Sequence, residues 1–138
     1  MSMRHLFRGK RSGNGEWVIG LLCPAPFVNA KSKDERYIAE YSNYPEVKTG
    51  GQFFPHRQVD PATIGQCTGE YDIDREMMFE DDVLLVDKDY KTAVRWVNDG
   101  FKVKDKDGKL YPLYFFKQSN KIKIIGNSHD NPELLGGS

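Results

Sequence analysis

The chain has 138 residues, and its 20 Lys and Arg balance 20 Asp and Glu, so the net charge is zero. That neutrality removes any global pull towards nucleic acid or an anionic membrane and leaves only local patches to consider. Eight Phe, seven Tyr and two Trp argue against disorder and for one domain with a core of its own. The two cysteines, Cys23 and Cys67, show neither a CxxC spacing nor a partner histidine pattern, so neither zinc nor a redox pair is indicated. They read as small buried hydrophobes in a reducing, cytoplasmic setting. The N-terminus lacks the apolar stretch of a signal peptide, and no apolar run is long enough to span a bilayer, so no membrane partner is expected.

In chain order, residues 3–9 and 16–22 predict two strands around the turn-formers of 10–15, where Asn14-Gly15 is a strong turn dipeptide. Gly20, inside the second strand, marks a bulge or a close backbone approach. Residues 23–34 predict a loop. In 35–42, Tyr37, Ala39 and Tyr41 alternate as in a strand, while Tyr37, Ile38 and Tyr41 also fit one helical face; short length and tyrosine content favour the strand. A further loop covers 43–52.

Residues 59–69, Val-Asp-Pro-Ala-Thr-Ile-Gly-Gln-Cys-Thr-Gly, carry the most specific local structure. Asp60 is suited to cap the N–H of Ala62 or Thr63, and Pro61 then falls at the first helical position. Val59 and Ile64 occupy the two positions of a hydrophobic staple. Gly65 is expected to stop the turn with a positive φ, and Gly69 to end a short strand before a sharp turn.

After an acidic stretch at 70–81, the chain becomes strongly β. Residues 82–87 read as a buried strand, and 90–97 alternate, with Tyr90, Thr92, Val94 and Trp96 on one face. Asn98-Asp99-Gly100 signals a hairpin, and residues 106–109 turn the chain again. Residues 110–116 predict a strand that Pro112 places at an edge or a bulge. Residues 121–125 form one more strand, and Asn131-Pro132 starts a helical turn in the tail. The resulting expectation is a mainly β chain of small antiparallel sheets or a partly open barrel, with one or two short helical turns and a boundary between residues 69 and 80.

Familiar chemical motifs fail on spacing. Gly9, Gly13 and Gly15 do not make a phosphate loop, and no Gly-x-Ser-x-Gly elbow occurs. Asp72-x-Asp74-x-Glu76 lacks the glycine and the terminal carboxylate of a calcium loop, and Asp105-x-Asp107-Gly108 fails in the same way. His5, His56 and His129 have no paired spacing. No catalytic, cofactor-binding or metal-binding residue is therefore assigned, and no cofactor is expected. Arg4, Arg8, Lys10 and Arg11, with Phe7 and Trp17 nearby, form a candidate nucleic-acid surface, to which Arg57 is a further candidate. Charges that blunt a sheet edge explain the same residues without a ligand. An enzyme or ligand reading requires His56, Arg57 and Asp60 to converge on a deep pocket.

The 59–69 block resembles the "V-x-P-x-T-V-G-Q-Y-T-G" segment of the YopX family of phage and prophage proteins. The tail, Ile124 to Leu135, is similar to that family's "V-I-G-N-x-x-x-N-P-E-L-L", and Phe7 to Gly20 resembles its opening. The residues that carry the likeness are Asp60, Pro61, Thr63, Gly65, Gln66, Thr68 and Gly69 in the first block, and Gly126, Asn127, Asn131 and Pro132 in the tail. Cys67 replaces an aromatic, Arg75 stands where the turn glycine of "D-x-x-G-K-x-I-F-E-G-D-I-V" falls, and Asp81 replaces its second glycine. The resemblance implies one domain over 1–138, divisible into an N-terminal β unit (1–69) and a barrel-like C-terminal unit (70–138) with an SH3-like character. It implies a mobile-element origin in a bacterial host and transfers no catalytic residue. The expected role is a non-enzymatic accessory protein that self-associates or contacts a host or phage protein; the alternative is a nucleic-acid-binding module using the first hairpin.

Overall fold

The structure is a computed structural model that describes residues 5–23, 35–41 and 55–135. Arg4 and the expected loops, apart from Cys23, lie outside these residues. Among the described residues the fold is mainly β, with small antiparallel sheets, one short α-helix and two 3-10 turns, and no sheet closes into a barrel. The chain divides into two compact units, Met1–Gln66 and Cys67–Ser138.

In the first unit, β1 (Leu6–Lys10) and β2 (Trp17–Cys23) form the expected hairpin, with Lys10 opposite Trp17. β3 (Arg36–Glu40) pairs with β2, and β4 (His56–Val59) pairs with β3, so Arg36–Glu40 is a strand rather than part of a helix. Gly20 is the close approach: a Cβ there would collide with the backbone carbonyl oxygen of Ala39. Val18, Ile38 and Val59 are buried together, with Phe7 and Ile64 packed against them. Val59 and Ile64 thus sit in one cluster on either side of the 3-10 turn Pro61–Thr63. Asp60 Oδ1 accepts from the Ala62 N–H at 3.0 Å. Thr63 Oγ accepts from the Lys10 N–H at 2.9 Å, which anchors the turn to β1.

Gly65 does not stop this turn with a positive φ. Ile64 ends it in an extended conformation, and Gly65 is the first residue of β5 (Gly65–Tyr71). It lies opposite Arg8 of β1, where the ladder requires extended backbone. Gly69 does not end the strand either; it has φ 80° inside β5, at a register shift between Cys67 and Tyr71.

In the second unit, β5 pairs with β6 (Met77–Phe79). β7 (Asp82–Val86) lies between β12 (Ile122–Asn127) and β8 (Tyr90–Ala93) in one three-stranded sheet. β10 (Gly100–Lys104) lies between β9 (Arg95–Val97) and β11 (Leu110–Pro112) in another. Met78, Leu84, Val86, Val94, Val103, Leu113, Phe116 and Ile122 form the buried core.

Two expectations fail here for identifiable reasons. The alternating run 90–97 breaks at Val94, whose C=O accepts from the Asp81 N–H at 2.8 Å and whose N–H donates to the Asp82 C=O at 3.0 Å. The strand leaves one sheet for the other, and Trp96 is exposed while Val94 is fully buried. The run 110–116 is a strand only as far as Pro112; Leu113–Ser119 is helix α1. High β-propensity in Leu-Tyr-Phe-Phe is overridden by burial at helical spacing. Leu113 and Phe116, three apart, enter the core, and Tyr114 and Phe115 face outwards. A helix of seven residues is not stable alone, so these two side chains, at about 1.5–3 kcal/mol each, hold it in place.

Candidate functional site

The basic hairpin is partly assembled. Arg8, Lys10 and Trp17 share a face of β1 and β2 by register, and the Arg8 guanidinium lies 4.8 Å from the centre of the Trp17 ring, with Lys10 Nζ at 5.8 Å. Arg11 lies beyond the strand, in a bridge to Val59, with its N–H donating to the Glu16 C=O. Arg57 pairs with Glu40 at 3.1 Å. His56 is exposed on β4, beside Arg57 but on the opposite face by alternation, and Asp60 caps its own turn. These three therefore do not converge on a single site.

A different site stands on the second unit, where sequence reasoning placed none. A cavity of about 430 Å³ is bounded by the β7–β8 turn, the β10–β11 turn and α1. Asp87 and Lys88, with φ 51° and 58°, form a two-residue turn of the mirror-image type that suits a hairpin, and the Asp89 N–H closes it on the Val86 C=O. Asp87 Oδ1 accepts from the Lys121 N–H at 2.7 Å. Across the cavity, Asp105 Oδ1 accepts from the N–H groups of Asp107 and Lys109, both at 2.9 Å. Asp89 faces Lys106 at 3.6 Å in an exposed pair of small energetic weight. Asp105 is placed by its own turn and Asp87 by the Lys121 N–H, and with Asp89 and Asp107 four carboxylates line one opening.

The opposite wall is aromatic. Tyr111 and Phe115 stack with centroids 6.5 Å apart and planes 18° from parallel, and Phe116 backs Tyr111 at 6.1 Å. Lys109 Nζ lies 5.5 Å over the Tyr111 ring, which shows that this wall accommodates a cation. Phe115 is 53% exposed and Tyr114 59%. Tyr90 lines the cavity, and its hydroxyl pKa is raised above the ordinary 10.0, first by burial and then by Asp105, Asp87, Asp89 and Asp107. The carboxylates thus act together on one point. The arrangement suits a flat or compact organic cation, held by charge at the rim and by ring faces at the wall.

The residues of the two sequence blocks do other work. Thr68 Oγ donates to the Met78 C=O at 2.7 Å and accepts from the Glu70 N–H at 3.0 Å, and Gln66 pairs opposite Phe7. In the tail, Asn131 Oδ1 accepts from the Asn127 N–H, while Asn127 Oδ1 accepts from the N–H groups of His129 and Asp130. Gly126 leaves no room for a Cβ, which would meet Asn131 Oδ1 at 2.5 Å and Leu134 Cδ1 at 2.8 Å. The 3-10 turn Pro132–Leu135 therefore folds back onto β12. Both blocks are backbone devices, and the YopX protein family model matches residues 7–136.

The chain belongs to the YopX family. No curated protein matches it individually. Set against the family's glycines, Arg75 has φ 64° and Asp81 has φ 74°, so the backbone turns where glycine is expected although neither residue is glycine. Asp81 is held there by Arg95 at 2.6 Å and His129 at 3.1 Å. Asp72, first residue of the suspected calcium-like run, spends its oxygens on backbone: Oδ1 accepts from Asp74 and Glu76, and Oδ2 from Ile124. Cys67, the other departure, is fully buried in β5. No helix among the described residues is long and apolar enough to cross a membrane.

The cavity escaped sequence reading because its parts lie in three segments. Its only local signals were Asp-Lys-Asp at 87–89, Asp-Lys-Asp at 105–107 and the aromatic run that follows, and nothing in the spacing joins them.

Proposed function

We propose that this YopX-family chain is a non-enzymatic accessory protein, in keeping with a phage or prophage setting, and that its C-terminal unit docks a basic segment of a partner protein. The carrying observation is the cavity in which four aspartates ring Tyr90 opposite the stack of half-buried Tyr111 and exposed Phe115. An arginine or lysine side chain fits that chemistry: its charge meets the carboxylates, and its flat or methylene part meets the rings. Aromatic anchors beside an exposed rim are the usual centre of a protein contact. Asp105 and Asp87 each accept backbone N–H groups on one oxygen, which fixes the direction of these two carboxylates and leaves their charge in place.

Short arginine-bearing and lysine-bearing peptides, with glutamine-bearing controls, test the proposal by fluorescence anisotropy. The basic peptides bind and the controls do not. Phe115→Ala, at an exposed position, weakens binding about fivefold, in line with loss of roughly 1 kcal/mol of cation–π attraction. Asp89→Asn weakens it and flattens its salt dependence. Equal binding of basic and neutral peptides, or no effect of either substitution, contradicts the proposal. Light scattering on the protein alone separates a partner from self-docking: assembly that Asp89→Asn and Phe115→Ala abolish assigns the basic segment to a second copy.

A further inference from the structure

We infer that the aspartate cavity carries its own occupants: Lys106 and Lys109 hold its two cation positions in the free protein, and a basic segment of a partner binds by displacing them. This deepens the docking reading above and rests on it. Both lysines stand on the β10–β11 turn, which also supplies Asp105 and Asp107. Lys106 lines the cavity, and its Nζ faces Asp89 Oδ2, on the β7–β8 turn, at 3.6 Å. Lys109 Nζ lies 5.5 Å from the centre of the Tyr111 ring, on the aromatic wall. One lysine thus meets the carboxylates and the other a ring, the two kinds of contact that the site offers an incoming arginine or lysine.

The turn fixes where these side chains start. The Asp105 N–H donates to the Lys109 C=O at 2.9 Å, and the Gly108 N–H donates to the Asp105 C=O at 3.0 Å. Asp105 Oδ1 adds its two bonds from the Asp107 and Lys109 N–H groups. The backbone from 105 to 109 is therefore closed on itself, and displacement needs only two side chains to swing away. Both lysines are exposed, so each contact is weak. A tethered lysine nevertheless sits at an effective concentration of about millimolar order, which a lone dilute cation does not match. A partner segment prevails by adding what the lysines leave uncovered. Among the described residues no cation lies over Phe115, which is 53% exposed and stacked on Tyr111. The device therefore selects a segment with an apolar side chain beside its basic one over a freely diffusing cation.

Anisotropy of a labelled arginine-bearing peptide, measured on the full chain and its variants at one salt concentration, tests this. Lys106→Gln and Lys109→Gln each tighten binding about threefold, the scale of one exposed cation contact, and the double substitution tightens it about tenfold. Glutamine at 109 keeps the backbone N–H that Asp105 accepts, so the turn survives. Lys88→Gln is the control. Lys88 stands between Asp87 and Asp89 but does not line the cavity, so loss of its charge changes binding less than Lys106→Gln does. The free protein supplies a second readout by NMR. The Lys109 methylene protons next to Nζ are shifted by the Tyr111 ring in the free chain, and saturating peptide returns them towards unperturbed positions. Binding to the wild type that neither lysine substitution tightens, an equal gain on Lys88→Gln, or Lys109 protons that the peptide leaves in place overturns the inference while peptide docking stands. Binding that emerges only in the double variant supports both. No binding of basic peptide by the wild type or any variant overturns both.

Discussion

Arg75 and Asp81 hold left-handed backbone that costs an L-residue about 1–2 kcal/mol. Arg75 is exposed, and its N–H closes a turn on the Asp72 C=O at 3.0 Å. Arg75→Gly is therefore expected to stabilise the chain by up to about 1 kcal/mol, after the greater flexibility of glycine in the unfolded chain is counted. A rise of a few degrees in the melting temperature checks it. Asp81→Gly relieves the same strain but strips Arg95 and His129 of their carboxylate, so its gain is smaller than that of Arg75→Gly or reversed. Tyr90 gives a pH effect of defined sign. Its folded-state pKa is raised, so its contribution to stability is complete below about 10 and is lost as pH climbs from there through the folded value. Tyr90→Phe has no such proton to lose, and its stability falls less steeply than that of the wild type above pH 10 in denaturant titrations.

Among the elements, the tail turn depends on Gly126. Gly126→Ala forces Asn131 or Leu134 aside and is expected to cost about 1–3 kcal/mol, measured by chemical denaturation, with the loss concentrated at β12 and the turn after it. The first hairpin, the Asp60 cap with Pro61 behind it, and the Asn98–Gly100 turn were all legible in the sequence, because each rests on contacts within a few residues. Three features were not. Gly65 was expected to need a positive φ, yet its partner is Arg8, far away in the chain, and the ladder between them demands extended backbone. The break at Val94 depends on hydrogen bonds to Asp81 and Asp82. Helix α1 forms because Leu113 and Phe116 fill a core supplied by other strands, against the local β preference of the run. In each case a distant segment decided the outcome. The aspartate cavity follows the same rule, since three separate segments build it and no single one of them looks like a site.

For the molecule as a whole, a net charge of zero hides two local fields on the C-terminal unit. Carboxylates gather around Tyr90, and Arg95, Lys102 and Lys104 share one face of β9 and β10. Exposed Phe115 accompanies the first, which is the pairing of charge with a flat apolar face that recognition surfaces use. The family blocks, by contrast, are spent on caps, bulges and close approaches, so membership of the YopX family is carried by the scaffold. The docking proposed for the C-terminal unit rests on turns and on α1, where residues are easier to change without loss of the fold. The most direct test of the docking claim is a two-dimensional NMR titration of the protein with an arginine-bearing peptide. Shifts that saturate together at Tyr90, Tyr111, Phe115 and the turns at 87–89 and 105–107 are the expected result. Saturable shifts confined to the β1–β2 hairpin, or none anywhere, would contradict it.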